Sequence, residues 1–163
     1  MAFRPGIAEQ ARGPSSKERS RAMKFFSSES GIKTHVLAIE PGEYMLESIT
    51  ELIKRAGIRD GAVVSGIGTL DQCIMHMVKP GGQVIQEWDD TPLELVGMQG
   101  VIADGVPHIH ATVSDKQSAV SGHPHEGCRI LYLCEVVVLE FPGLNLTRSP
   151  GAAGIDVLKE KAA

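Results

Sequence analysis

The amino-acid sequence predicts an α+β fold, a mostly antiparallel sheet carrying one main helix. Three observations lead there: many short strand-like segments, short turns rich in Gly and Pro between them, and a single stretch with clear helical periodicity. The chain has 163 residues, of which 42% are hydrophobic and 22% charged, a globular balance that excludes wholesale disorder and suits one domain with a tail. No run approaches the ~18 consecutive apolar residues of a membrane span. The opening Met1–Gly6 lacks the apolar core of a secretory signal, so a cytoplasmic protein is expected.

Residues 1–31 are rich in Gly, Pro, Ser and Arg without sustained periodicity and read as a basic arm that packing against a neighbouring subunit would order. A folded domain is expected over residues 32–158, with residues 159–163 as a C-terminal tail. Thr34 to Glu40 reads as a strand stopped by Pro41-Gly42. From Tyr44 to Ala56, the apolar residues Met45, Leu46, Ile49, Leu52, Ile53 and Ala56 fall on one stripe of a 3.6-residue period, and Gly57 stands near the C-terminal cap. Glu47 near its start and Lys54 and Arg55 near its end suit the helix dipole.

Gly61–Ser65 and Cys73–Val78 read as two strands joined through Gly66-Ile67-Gly68-Thr69-Leu70. Pro80-Gly81-Gly82 is a turn before a short strand, Gln83–Trp88. Leu93–Ile102 reads as another strand, in which Gly97 and Gly100 mark a bulge or a close backbone approach. Asp104-Gly105 signals a hairpin into Pro107–Ser114. Ile130–Phe141 is expected as a central strand and Leu144–Thr147 as the last one, before a polar C-terminus.

Residues 1–33 carry a net charge of +4 and the remainder −8. An acidic body repels a phosphate backbone, which disfavours nucleic acid as a partner and leaves only the arm to attract it. Cys73, Cys128 and Cys134 include no C-x-x-C pair and are expected as reduced, buried thiols.

Four of the six histidines, His108, His110, His123 and His125, fall within 18 residues. On a strand, His108, His110 and Thr112 share one face while Ile109, Ala111 and Val113 take the other. Two imidazoles spaced about 6–7 Å apart at Cα can converge on one cation. A third ligand, His123, is expected from a glycine-flanked loop, Gly122-His123-Pro124-His125. Three histidines with an open fourth position describe a catalytic or ligand-binding zinc-like site; a solvated, hydrogen-bonded polar face is the alternative. His35 and His76 each stand among apolar strand residues and read as structural. Gly66-x-Gly68 lacks the third glycine of a nucleotide fingerprint.

Several ordered motifs make the chain resemble the PPC domain family (plants and prokaryotes conserved domain) from Gly31 to Leu158. They are Pro41-Gly42-Glu43, Gly61, Ser65 through Leu70, Leu93 through Gly100, Asp104 through His110, Gly122-His123, Glu126-Gly127-Cys128 and Glu135-Val136-Val137. The resemblance implies a PPC-like sheet with one main helix and a homotrimer. In plants the domain accompanies an AT-hook in nuclear DNA-associated proteins; the hook core Arg-Gly-Arg-Pro is absent here, since Arg12-Gly13-Pro14 lacks the second arginine. The plant domains also generally lack the His-x-His pair.

More distantly, the chain is similar to acetolactate decarboxylase, which holds zinc with a His-x-His strand and a later histidine, and His108, His110 and His123 match in order. The resemblance implies a zinc or similar divalent site that binds or transforms a small oxygen-rich molecule, as a metal-dependent lyase or hydrolase would. Glu126, Glu135 and His125 are the candidates for proton transfer or orientation, and Arg148 for clamping a substrate carboxylate. Each has a structural alternative: a buried acid for Glu135, solvated loop residues for Glu126 and His125, an intersubunit ion pair for Arg148. A DNA-binding or protein-interaction module without catalysis is the alternative reading of the whole chain.

Overall fold

A computed structural model describes residues 31–152 and 154–162; the basic arm expected at 1–31 falls, Gly31 apart, outside the described residues. The chain order is β1 (Lys33–Ile39), α1 (Met45–Ala56), β2 (Gly61–Lys79), β3 (Gly82–Trp88), β4 (Leu93–Ala103), β5 (Val106–Ser114), β6 (Ala119–Pro124), β7 (Arg129–Glu140), β8 (Leu146–Pro150) and β9 (Asp156–Glu160). Among the described residues every strand pairing is antiparallel, in keeping with the mostly antiparallel sheet expected. The large sheet runs β1-β7-β2-β4-β5-β6, with β3 on β2, and β6 returns to pair with β2. β2, β4, β5 and β6 therefore close into a ring.

The helix forms where the periodicity places it. It buries Met45, Ile49 and Ile53 against a core that includes Ile39, Leu70, Ile109 and Val136, while Leu46 and Leu52 are half-buried at its edge. Each fully buried side chain of this kind contributes about 1.5–3 kcal/mol. Tyr44 makes no side-chain cap; instead the Met45 N–H donates to the carbonyl of Cys128 at 2.8 Å, tying the helix start to the turn before β7. Gly57 closes the other end in the left-handed region at φ 68°, where a Cβ would be strained.

Three expectations are corrected. Gly61–Ser65 and Cys73–Val78 are parts of one 19-residue strand, β2. The glycines that suggested a connection instead admit close neighbours: a Cβ on Gly68 would overlap the Leu133 carbonyl and the backbone of Cys134 on β7. Register shifts at Val63/Ser65, Gly68/Leu70 and Leu70/Gln72 absorb the resulting irregularity. Second, Gly122–Pro124 is not a hinge loop but the end of β6. Third, the polar C-terminus does not end at one strand, since β8 and β9 form a separate hairpin.

That hairpin docks on the ring through Asp60, a residue 4% exposed whose carboxylate accepts the N–H groups of Asp104 and Leu146. Lys161 adds an ion pair to Asp104 at 2.7 Å. Among the described residues, no helix is long and apolar enough to cross a membrane.

Substituting Gly68→Ala should lower stability by about 1–3 kcal/mol, because β7 must shift to admit a methyl group. Gly82→Ala, where an added Cβ meets open space, should stay within about 0.5 kcal/mol of the parent. Urea denaturation of the two variants checks the contrast.

Candidate metal centre

The histidine site is assembled by β5, β6 and the far half of β2. On β5, Ile109, Ala111 and Val113 are buried, whereas His108 and His110 are exposed and Thr112 is half-buried, the alternation that the sequence predicts. Their register partners on β4, Val101 and Gln99, are exposed as well. The pair thus stands on the outer face of the sheet, away from the helix and core.

His123 arrives from β6, which pairs with β5 through Ala111–Gly122 and with β2 through His76–His123. The rings of His108 and His110 are 5.3 Å apart, and that of His123 lies 5.1 and 5.6 Å from them. One potential ligand atom from each lies within 4.8 Å of the other two. Tetrahedral coordination at about 2.0–2.1 Å places ligand nitrogens about 3.3 Å apart. Small ring rotations close that gap, so the three imidazoles fit a zinc-like ion.

The structure adds a residue that sequence reasoning set aside. His76 packs its ring 4.8 Å from that of His123, and its Nδ1 meets Nε2 of His125 at 2.8 Å. Five imidazoles therefore adjoin. No local spacing signals His76, because a cross-strand pairing 47 positions away in sequence brings it to His123.

Burial drives the electrostatics. It pushes His123 down to about 4, with help from His108, His76, His110 and His125. His108 is held below the ordinary histidine range by partial desolvation, then by the Arg148 charge and by His110. His76 is lowered by desolvation first and then by His125 and His110. These three rings are neutral at pH 7, the state that leaves a nitrogen lone pair for a cation.

The remaining candidates are placed unequally. His125 joins the cluster through His76, with its ring 5.9 Å from that of His123. Arg148, on β8, acts electrostatically on His108, but its two terminal nitrogens donate to the carbonyls of Val101 and Val106. Glu126 is exposed in the turn after His125. Glu135 is exposed on β7, not a buried acid, and faces Ile67 across the ladder to β2. Ile67 in turn lines a groove of about 510 Å³ bounded by β2, β4, β5 and β6, walled also by Ser65, Gln99, His110, Thr112 and Ser121. Thr112 and Ser121 join their hydroxyls there at 2.7 Å. The groove opens beside the histidines, and His110 belongs to both.

Fold and site together define an antiparallel α+β protein with a three-histidine cluster of metal-ligating geometry on its sheet. The chain belongs to the Plants and Prokaryotes Conserved (PCC) domain family, which residues 26–142 match. Its fold is shared by a protein of Archaeoglobus fulgidus described as metal-containing (TM-score 0.74, 24% identity, 85% of this chain and 100% of that one). A plant- and prokaryote-conserved protein of Pyrococcus horikoshii is similar too (TM-score 0.70, 21% identity, 85% and 100%). So is a hypothetical protein from Salmonella (TM-score 0.73, 22% identity, 81% and 95%). In sequence, 124 residues are 26% identical to a Synechococcus protein named bifunctional protein GlmU, over 75% of this chain but only 19% of that relative's length.

The metal-free protein should lose stability as the pH falls from 6.5 towards 4. In that window the unfolded chain binds a proton at His123 that the folded chain refuses, so stability is complete above 6.5 and declines below it. Thermal midpoints measured in chelator across pH 4–8 check this, and His123→Asn should flatten the slope.

Proposed function

We propose that this chain binds a zinc or similar divalent ion through His108, His110 and His123 and presents it to a small oxygen-rich molecule, a carboxylate or ketone, seated in the adjoining groove. The observation that carries this reading is the convergence of three imidazoles from two strands on an accessible face, beside a cavity large enough for a small molecule. The structural likeness to a metal-containing archaeal protein supports it. When bound, the ion supplies Lewis-acid polarisation of a ligand oxygen. The fit is chemical as well as geometric, because neutral imidazole is the commonest protein ligand for such metals.

The chain's own groups divide the remaining work. His125, held by His76, stands where it can take or give a proton beside the ligand set. The positive charge of Arg148 favours an anionic group near His108, although its two terminal nitrogens are already engaged by carbonyls, which makes it an electrostatic guide rather than a free clamp. Glu135 lies one strand beyond the groove wall and Glu126 at the exposed turn, so each acts as an orienting or proton-transferring group only from the periphery.

The proposal includes a homotrimer. The outer face exposes Val36 (72%), Ile67 (50%), Val96 (57%) and Leu133 (49%), apolar side chains that self-association would cover. A DNA-binding module is disfavoured by the −8 body and would draw on the basic arm alone.

Protein purified without a histidine tag and supplied with zinc should hold about one ion per chain by elemental analysis. His108→Ala and His110→Ala should each weaken binding roughly a hundredfold or more, since losing only a group that hydrogen-bonds to a ligand already costs about 10–100-fold. A content far below one ion per chain in the parent protein removes the metal reading, and DNA binding that falls steeply with salt would favour the module instead.

Light scattering should give the mass of a trimer, and Ile67→Asp should yield smaller species by placing a charge in the covered face.

A further inference from the structure

Cys73 and Cys128 are both free and almost fully enclosed, at 1% and 0% exposure. They come together because β2 and β7 end their shared ladder at Gln72 opposite Arg129, so the next residue outward on each side is a cysteine. Their Sγ atoms are 3.8 Å apart. A disulfide needs about 2.05 Å, so the two sulfurs must approach each other further for a bond to form. Cys134, the third cysteine, lies in the core with no sulfur partner given to it by the fold.

The surroundings of Cys128 differ from those of an ordinary core thiol. Its Sγ lies 3.2 Å from the carbonyl oxygen of His125 and accepts the N–H of Ile74 at 3.5 Å. The His125 N–H in turn donates to the Ile74 carbonyl at 2.9 Å. The turn from His125 to Cys128 is therefore sewn to β2 beside the thiol pair, and the same turn carries one of the five clustered imidazoles.

We infer that Cys73 and Cys128 form a reversible, hydroperoxide-oxidisable dithiol that staples β2 to the turn carrying His125. In the first step the Cys128 sulfur, as thiolate, attacks one oxygen of hydrogen peroxide. An S–O bond forms, the O–O bond breaks, and hydroxide leaves and takes up the thiol proton as water. In the second, the Cys73 sulfur attacks the sulfenic sulfur, the S–S bond forms and the S–O bond breaks. The released hydroxide takes the Cys73 proton as a second water. The two thiols lose two electrons and the peroxide gains them. Access for the peroxide comes through local opening of the His125–Cys128 turn, whose Glu126 is exposed.

The test uses the full chain in its native state, exposed to hydrogen peroxide, quenched with catalase, then alkylated in denaturant and digested without reductant. The expected result is a fall from three alkylatable thiols per chain to one, that of Cys134, with a Cys73–Cys128 linked peptide by mass spectrometry. Thiol reductant should restore all three. Cys73→Ser and Cys128→Ser should yield no intrachain link under the same treatment. Three alkylatable thiols in the treated parent would overturn the assignment. So would conversion to sulfinic acid without a linked peptide, or a link involving Cys134. None of these readouts depends on metal at the histidines, so the dithiol and the metal reading stand or fall separately.

Discussion

The return of β6 to β2 is the constraint on which the site depends. Only two register pairs, Met75–Pro124 and His76–His123, make that contact, yet they close the ring formed by β2, β4, β5 and β6. The β5–β6 ladder, which reaches Ala111–Gly122, sets His123 one residue further on, beside His110. The closure onto β2 fixes that third ring against His76, which in turn holds His125. Gly122 is central here: a Cβ at this position would press on the His76 carbonyl, so glycine lets the two backbones meet. The length of β2 serves the same end, its first part belonging to the β4 and β7 ladders and its last to β3 and β6.

The location on the outer sheet face joins stability to function. The inner face is filled by aliphatic side chains from every long strand and from α1, which leaves the histidines free of any duty in the core. Crowding several imidazoles at one edge carries a cost if any of them is protonated, and partial burial resolves it by keeping His123, His108 and His76 neutral. Rings of this kind suit a cation better than they suit protons. The groove beside it offers uncharged polar groups, Ser65, Gln99, Thr112 and Ser121, so positive charge for an anionic ligand would come from the bound ion and from Arg148.

Much of this was legible in sequence wherever the signal was local. The stripe from Met45 to Ile53 gave the helix, and the alternation from His108 to Val113 gave the orientation of both metal candidates on β5. Asp104-Gly105 correctly marked a turn, with both residues at positive φ. What escaped was non-local. Gly66 and Gly68 look like a loop in sequence because glycine weakens a strand, whereas in the fold they are required by the close approach of Met98 and β7. His76 looked solitary because its partners are supplied by pairing with β6. Glu135 lies within an apolar run, which suggested burial, but its side of β7 is the outward one.

Anomalous X-ray scattering at the zinc edge, on crystals of tag-free protein grown with zinc, decides whether the clustered imidazoles hold the ion. One dominant peak per chain is expected, with the ring nitrogens of His108, His110 and His123 at about 2.0–2.1 Å. A peak held by other groups, or none at this face despite saturating zinc, would contradict it.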